Sequence, residues 1–419
     1  MKTLLLCPEL FARESGIQRI MRLYLKALCE SAGEGDSVDL VVLNDHNLPA
    51  AKLANYSNDR LGIRLACGGS KVQFLRAAVR AVSGADRLVC GHLGQLIVAW
   101  LARSFHPRLE YFLVAHGLEV WKSYSVLERL ALRRARRILC VSEYTRCEMQ
   151  RRIALPDWRF AVVPNALDPF FAVRANQHLS GGQPDDPGQM PNPYGVGSLP
   201  ATAHGQGLLR PVDLSERGFA NDSSDAASSD VPPVILTVGR LDAAERYKGV
   251  DHLIEAMPTV RQTLPGARLR VIGTGNDRPR LMALAEQRGV SAAVRFAGFV
   301  DDQKLVQAYR DCTLFALPSH AEGFGIVFLE AMACGKPCLG ARAGAIPELI
   351  DDASGMLVDY GNVDQLAAGM VRALTHRWDP EKIKARAGQF SYPAFRTRLE
   401  QAMETRPDGR PPHREVGAG

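Results

Sequence analysis

The chain has 419 residues, more than one hydrophobic core usually organises, so two domains are expected. Its 46% hydrophobic and 23% charged residues are typical of packed globular proteins and exclude disordered and fibrous chains. A net charge of +6 is small for this length and argues against a nucleic-acid-binding protein. Nine scattered cysteines without a C-x-x-C pair predict neither a disulfide framework nor a zinc ribbon, and they suit a reducing cytoplasm. Neither a membrane-spanning segment nor a signal peptide is predicted.

Short apolar runs alternate with helical patterns through the first half of the chain, which is the βαβ rhythm of a parallel sheet. The predicted strands are 3–7, 38–43, 88–90, 111–115, 138–141 and 160–163, and the predicted helices are 16–28, 93–103, 125–137 and 142–151. Helices usually cover both faces of such a sheet. Residues 1–172 are therefore assigned to an N-terminal Rossmann-like domain.

Residues 173–232 interrupt this rhythm with a stretch dense in Gly, Pro, Ser, Asp and Asn, which predicts a low-complexity insertion between domains. The rhythm then restarts and assigns 233–379 to a second Rossmann-like domain. Its predicted strands are 234–238, 269–272, 294–297, 314–316, 337–340 and 356–358, with helices at 249–263, 278–288, 302–312, 325–334 and 362–375. A helical segment at 380–404 must pack elsewhere, and 405–419 is predicted to be a disordered tail. Two such domains in series predict a ligand site in a deep cleft between them.

The most informative stretch is 320–340, HAEGFGIVFLEAMACGKPCLG. Its predicted helix is apolar nearly all the way round except at Glu330, and a buried carboxylate needs a partner or a ligand. Glu322 comes one loop earlier, and glycines on either side of Phe324 leave the helix N-terminus open to an anion. From these residues alone, a buried helix with its carboxylate turned to solvent is an equally good interpretation.

Two cations follow the first strand of the second domain. Arg240 and Lys248 lie on one strand-end loop beside glycines, which suits a diphosphate, although ordinary surface cations would give the same pattern. Gly273 and Gly275 form a tight turn after the next strand. A dinucleotide fingerprint would need a third glycine where Arg278 stands, so a dinucleotide site is disfavoured.

Two further candidates belong to the first domain. His116 follows the predicted strand 111–115, and the carboxyl end of a parallel strand faces the crevice where such sheets bind ligands. A lone histidine in this position is also compatible with a structural role. Gly16 follows the first strand and begins a predicted helix.

The run EGFGIVFLE from Glu322 to Glu330, continued by AMACGKP, resembles the E-x7-E motif of retaining glycosyltransferases of the GT-B fold, in family 4. GRL with KG, the G-x-G turn, the strand-end His-Gly and VPNALD at 163–168 resemble further segments of that family, so the likeness covers most of 1–404 outside the insertion. Members commonly have two glycines where this chain has Ser15 and Gly16. The resemblance implies an α/β protein of the GT-B fold, with two Rossmann-like domains facing across a deep cleft.

The resemblance also implies a role for each candidate. Glu322 and His116 would approach the transferred sugar, Glu330 would hold the nucleotide ribose, and Arg240 and Lys248 would act on the diphosphate. The remaining contacts to the donor nucleotide would come from Gly16, Gly273, Gly275, Phe324, Gly325 and Ile326. Late in the chain, Glu348 is the last residue of the segment GAIPE, which resembles the family's GGxPE with one glycine missing, and it is a candidate for the nucleotide side.

The implied activity is a retaining transfer of a hexose from a UDP- or GDP-sugar to a glycan or lipid-linked glycan, in the synthesis of exopolysaccharide or cell-surface polysaccharide. No D-x-D triplet occurs, so no catalytic metal and no cofactor are expected, and Arg240, Lys248 and a helix dipole would stabilise the leaving diphosphate. A sugar-nucleotide epimerase or hydrolase of the same fold is an alternative, as is a non-catalytic partner subunit. The intact set of charged residues argues against the latter.

The segment 125–137, SVLERLALRRARR, is basic and amphipathic. It predicts either an ordinary solvated helix face or a surface helix that meets anionic lipid headgroups. The expected location is the cytoplasm, with contact at the inner membrane face as the alternative that this helix raises.

Overall fold

The computed structural model describes residues 1–12, 16–176 and 231–404. The first of two α/β units is built on seven parallel strands, which are β1 (Lys2–Cys7), β2 (Ser37–Val42), β3 (Leu61–Ala66), β4 (Arg87–Cys90), β5 (Glu110–Ala115), β6 (Arg137–Cys140) and β7 (Phe160–Val162). They lie in the order β3-β2-β1-β4-β5-β6-β7. The strand order reverses between β1 and β4, and such a point opens a crevice at the carboxyl ends of parallel strands.

The helices of this unit are α1 (Gly16–Ser31), α2 (Ala50–Ala54), α3 (Lys71–Val82), α4 (Leu96–Phe105), α5 (Val126–Arg134), α6 (Glu143–Gln150) and α7 (Pro169–Asn176). Successive side chains of β1 enter opposite cores because strand residues alternate between faces. Leu4 and Leu6 join the core under α3, α4 and α5, whereas Leu5 and Cys7 join the core under α1. Both faces of the sheet are therefore covered, as expected for a parallel sheet.

The second unit has six parallel strands, which are β8 (Val234–Val238), β9 (Arg268–Ile272), β10 (Val294–Gly298), β11 (Leu314–Leu317), β12 (Cys338–Ala341) and β13 (Gly355–Val358). Their order is β10-β9-β8-β11-β12-β13. The helices are α8 (Val250–Thr263), α9 (Arg278–Gln287), α10 (Asp302–Asp311), α11 (Ile326–Ala333), α12 (Ile346–Leu349), α13 (Val363–Thr375), α14 (Pro380–Gly388) and α15 (Tyr392–Glu404). The order reverses between β8 and β11, so this sheet opens a second crevice.

The predicted helical segment 380–404 forms two helices that serve different units. α14 packs against α11 in the second unit. The chain then crosses back, and α15 lies against α1 and β6 of the first unit. There the ring of Phe395 packs edge-on against Tyr24, with 5.1 Å between ring centroids. The C-terminal helix thus ties the second unit to the core of the first.

The predicted C-terminal boundary of the helix 125–137 is wrong. α5 stops at Arg134, because Ala135 has an extended ψ of 139° and Arg137 begins β6. Arg136 pairs with Glu110 at 3.3 Å, and Arg137 donates to the carbonyl of Ala402 at 3.3 Å. Arg136 and Arg137, the last two arginines of the predicted basic helix, therefore lie outside α5.

The predicted insertion 173–232 also begins too early, since residues 173–176 continue α7 and Ala175 is buried. The remainder of that prediction, at 177–230, and the predicted tail at 405–419 lie outside the described residues. Within the described ranges no helix is long and apolar enough to cross a membrane.

Candidate active site

The carboxyl ends of both sheets face one cleft with a volume of about 1000 Å³. All but two of the residues that the sequence singled out for the site line it. They are Gly16, His116, Arg240, Lys248, Gly273, Glu322, Phe324, Gly325, Ile326 and Glu330. Gly275 and Glu348 are not among the lining residues. The fold thus gathers segments up to 314 positions apart in sequence, from Gly16 to Glu330, around one cavity.

The N-terminus of α11 opens into this cleft. Gly325 precedes the helix with φ at 99°, a left-handed conformation that glycine adopts freely, and a β-carbon there would come 2.9 Å from the Phe328 ring. No side chain caps this end of the helix. The first backbone N–H groups of α11 and the positive end of its dipole are therefore available to an anion in the cleft.

Glu322 lies partly buried at the entrance to α11. Burial raises the pKa of the Glu322 carboxyl, while the nearby Lys248 ammonium opposes that shift. The carboxyl therefore holds its proton more tightly than a free side chain does, and its ionised form depends on the neighbouring cation.

Arg240 and Lys248, the two cations predicted to bind a diphosphate, lie close together. Glu245, which lies between them in sequence, forms an ion pair with each. Glu245 forms an ion pair with Arg240 through one oxygen, and its other oxygen lies 2.8 Å from Nζ of Lys248. The Glu245 side chain is only 10% exposed, whereas Arg240 is largely exposed to the cleft. This carboxylate fixes the direction of both cations before any anion enters.

Glu330 has its partners across the cleft as well as within its own unit. Its carboxylate accepts a hydrogen bond from the hydroxyl of Tyr309 at 2.8 Å and pairs with the guanidinium of Arg19 from α1. Arg19 also reaches Asp302 at 2.7 Å. Burial raises the pKa of Glu330, and the charge of Arg19 opposes the shift. At 3% exposure, Glu330 is not turned to solvent, and that alternative is excluded.

His116 follows β5 and lines the cleft. One of its ring nitrogens contacts a backbone carbonyl. Its Nε2 lies 2.8 Å from the carbonyl of Gly91, which can only accept, so Nε2 carries the proton in this contact. Its backbone N–H donates to Glu119 at 2.5 Å. In the neutral ring Nδ1 is then the free acceptor, so His116 can accept a hydrogen bond from a ligand hydroxyl.

The two units touch next to this histidine through two glycines. A β-carbon on Gly323 would lie 1.9 Å from the carbonyl oxygen of His116, and one on Gly117 would lie 2.8 Å from the Cα of Gly323. The hydroxyl of Ser142 donates to the carbonyl of Gly323 at 2.8 Å. The strand-end loops can approach this closely only because neither glycine carries a side chain.

The glycine turn after β9 has a clear packing role. A β-carbon on Gly273 would come 1.8 Å from the carbonyl oxygen of Gly239, and one on Gly275 would come 2.2 Å from the backbone of Leu241. The turn therefore supports the loop that carries Arg240, and only Gly273 also reaches the cleft. The contact of Gly275 with a nucleotide base stays a prediction.

Glu348 lies at the boundary between the units. Its carboxylate accepts hydrogen bonds from the backbone N–H groups of Glu143 and Tyr144 at 2.9 and 2.7 Å. These groups form the first turn of α6 in the other unit, so Glu348 satisfies that helix N-terminus. Its carboxylate is engaged between the units, in contrast to the role on the nucleotide side that the sequence suggested.

Sequence reasoning missed three residues that contact the predicted site: Arg19, Glu245 and Tyr309. Glu245 lies between Arg240 and Lys248 in sequence, and an acid three residues before Lys248 could have been recognised as its ion-pair partner. Arg19 and Tyr309 could not be assigned in this way, because their contact with Glu330 depends on tertiary packing. No cluster of three or more His, Cys, Asp or Glu side chains suited to a metal ion occurs in residues 1–12, 16–176 and 231–404.

Two protein-family models match the chain. The one described as "Glycosyltransferase Family 4" matches residues 15–170, and the one described as "Glycosyl transferases group 1" matches residues 219–390. Each model covers one of the two α/β units, and together they account for most of the chain.

Curated relatives match part of the chain. A D-inositol 3-phosphate glycosyltransferase of Segniliparus rotundus is 36% identical over 200 residues, which are 45% of this chain and 42% of that protein. A GDP-mannose-dependent monoacylated alpha-(1-6)-phosphatidylinositol monomannoside mannosyltransferase of Corynebacterium glutamicum is 35% identical over 153 residues, 35% of this chain and 39% of that protein. The chain thus spans about two fifths of the length of these relatives.

Solved structures match over nearly the whole length and show the fold. The apo form of the lipopolysaccharide outer core galactosyltransferase WaaB aligns with a TM-score of 0.64 and 17% identity, over 96% of this chain and 99% of that one. Anabaena HepE in complex with UDP and glucose aligns with a TM-score of 0.66 and 18% identity, again over 96% and 99%. The expected α/β fold with two Rossmann-like domains is confirmed. The chain belongs to the glycosyltransferases of group 1 and family 4, and its fold is GT-B.

Proposed function

We propose that the protein is a retaining, metal-independent hexosyltransferase that uses a UDP- or GDP-sugar. One observation carries the proposal. Two cations, an open helix N-terminus, a buried carboxylate and a partly buried one converge on a single cleft between the units. A diphosphate matches the cations and the helix end, and hydroxyl groups of a ribose and a hexose match the carboxylates.

In the proposed reaction the bond between the anomeric carbon and the β-phosphate oxygen breaks, and the acceptor oxygen bonds to the same face of the sugar. The acceptor hydroxyl gives its proton to the departing phosphate oxygen. Arg240, Lys248 and the first N–H groups of α11 stabilise the negative charge that grows on the diphosphate, so no metal ion is needed. Preorganisation by Glu245 supports this step, because the two cations need not reorient as charge develops.

Glu330 holds the ribose in this proposal, and Glu322 and His116 orient the hexose. His116 would accept a sugar hydroxyl hydrogen bond on Nδ1, since Nε2 is engaged with Gly91. Gly16, Gly273, Phe324 and Ile326 would bring backbone close to the donor, which their place along the cleft supports.

We further propose a glycan or lipid-linked glycan acceptor in the synthesis of cell-surface polysaccharide. The name of the Corynebacterium glutamicum relative states a lipid-linked mannoside acceptor, and the WaaB name states a lipopolysaccharide core. A cytoplasmic location with peripheral contact at the inner membrane face follows, and the exposed cations of α5 support it.

The test is a donor panel with the full-length protein. UDP- and GDP-sugars are supplied with and without lipid-linked glycan acceptors, and release of nucleoside diphosphate and transfer to acceptor are both measured. Transfer that requires the acceptor and persists in EDTA is expected. Release without transfer would indicate the hydrolase alternative, a changed sugar nucleotide would indicate the epimerase, and no reaction with any donor would indicate a non-catalytic subunit.

A further inference from the structure

Phe299 is an exposed aromatic residue that lines the cleft and has no part in the donor contacts described above. Of the large apolar side chains that are exposed among the described residues, Phe170 and Phe299 line the cleft, and they are 38% and 69% exposed. A single exposed apolar side chain on an outer surface is ordinary. Inside a ligand cleft, such a ring offers a flat apolar face to a bound molecule.

The backbone on both sides of Phe299 is fixed. The register of β10 against β9 shifts just before Gly298, and Gly298 itself has a left-handed φ of 71°. Its carbonyl accepts a hydrogen bond from the backbone N–H of Gly273 at 2.9 Å. On the other side, Asp301 caps α10 by accepting from the backbone N–H of Lys304 at 2.8 Å. Because a β-bulge redirects the chain that follows it, these contacts set the direction of the Phe299 ring without burying it.

The segment that carries Phe299 lies beside the proposed ribose contact. The guanidinium of Arg19 pairs with Glu330 through one nitrogen and reaches Asp302 through another, at 2.7 Å. Asp302 comes three residues after Phe299, so this segment and Glu330 are joined by one side chain.

The order of the donor along α11 then indicates what reaches Phe299. This step rests on the proposed function, which puts the diphosphate at the first N–H groups of α11 and the ribose on Glu330, about one helical turn further on. A ribose carries the diphosphate on C5′ and the base on C1′, so the base extends beyond Glu330. The hexose lies at the opposite end of the donor, beside Glu322 and His116.

We propose that Phe299 is the stacking platform for the nucleobase of the donor. A planar base matches a phenyl ring, whereas the hexose and the acceptor lie at the other end of the donor. Every base has a π-face, so this contact binds uracil and guanine without reading their hydrogen-bonding edges. The larger guanine ring would cover more of the phenyl ring.

The test is calorimetric titration of the full-length protein with UDP, GDP and inorganic pyrophosphate, which has no base. Phe299→Ala removes the ring, Phe299→Leu keeps an apolar side chain without a flat face, and Phe299→Trp keeps a flat face. Phe105→Ala is the matched control, because Phe105 is 81% exposed and does not line the cleft. Arg240→Ala verifies that pyrophosphate reaches the site. Thermal unfolding verifies that every variant is folded.

Phe299→Ala should weaken the binding of UDP and GDP about five- to a hundredfold, with the larger loss for GDP. Its affinity for pyrophosphate should equal that of the parent, because that probe does not reach the ring. Phe299→Trp should bind both nucleotides at least as tightly as the parent, and Phe299→Leu should bind them with intermediate affinity. Phe105→Ala should bind all three probes as the parent does.

An equal loss of pyrophosphate binding in Phe299→Ala would overturn the inference, since the ring would then only support the loop. Parent-like nucleotide binding by Phe299→Ala or Phe299→Leu would overturn it as well. If Arg240→Ala weakens nucleotide binding in the same series, the proposed function stands and only the stacking contact is lost. A parent protein that binds neither UDP nor GDP would overturn both proposals.

Discussion

Replacement of Glu330 by Gln separates a ligand-binding role from a structural one. Gln keeps the shape of the side chain and can still accept from the Tyr309 hydroxyl, but it removes the charge that meets Arg19. A hydrogen bond to a charged group contributes about 1.5–3 kcal/mol, so the affinity for a nucleoside diphosphate should fall roughly ten- to a hundredfold if the carboxylate holds the ribose.

The same substitution should change folding stability little. The loss of the pair with Arg19 destabilises the folded protein, whereas burial of the Glu330 carboxylate, which raises its pKa, no longer costs desolvation energy. These two effects oppose one another. We therefore expect a net change in the free energy of unfolding of about 1 kcal/mol or less, well below the effect on binding.

Calorimetric titration with UDP and GDP, alongside denaturant unfolding, measures both quantities. Asp302→Asn is the matched control, because it removes the other carboxylate partner of Arg19, at 2.7 Å, from a half-exposed position. Its effect on stability should be under about 1 kcal/mol and its nucleotide affinity should match the parent. Unchanged binding of both nucleotides by Glu330→Gln, with a large loss of stability, would refute the reasoning.

Four further predictions follow from the site and the sequence. Arg240→Ala and Lys248→Ala should each lower turnover about a hundred- to a thousandfold, and the double variant should lose less than the product, with EDTA having no effect in steady-state assays. Because burial raises the pKa of Glu322, the stability that its carboxyl contributes is present below the ordinary value of 4.5 and lost as pH rises through the raised value; Glu322→Gln should therefore be more stable than the parent at neutral pH, a gain that shrinks toward pH 4.5 in denaturant titrations. Gly323→Ala would place a β-carbon 1.9 Å from a carbonyl oxygen of the other unit, so activity should be lost while circular dichroism remains that of the parent. Replacement of 177–230 by a short flexible linker should preserve activity and soluble yield, since that sequence is too polar to supply a core.

The central strands could be predicted from the sequence because strands buried on both faces are continuous apolar runs. β3 could not, since it is an edge strand and its residues 62–65 are exposed. α3 was also missed, although its apolar side chains gather on one side as in an amphipathic helix, so the sequence did carry the signal for this helix.

The sequence could predict those site residues that lie at strand ends or in short motifs. Glu322, Glu330, Arg240 and Lys248 were found in that way, because spacing in sequence reports on one loop or one helix. The pair between Arg19 and Glu330 spans 311 positions and joins the two units, so it depends on how the sheets face each other. No local pattern carries that information.

The location of the donor site is tested most directly by a crystal structure of the protein with a bound nucleoside diphosphate. We expect the diphosphate within hydrogen-bond distance of Arg240, Lys248 and the first N–H groups of α11. The ribose hydroxyls should lie on the Glu330 carboxylate, with Arg19 displaced from at least one of its oxygens. A nucleotide bound outside this cleft, or one whose ribose makes no contact with Glu330, would contradict the account.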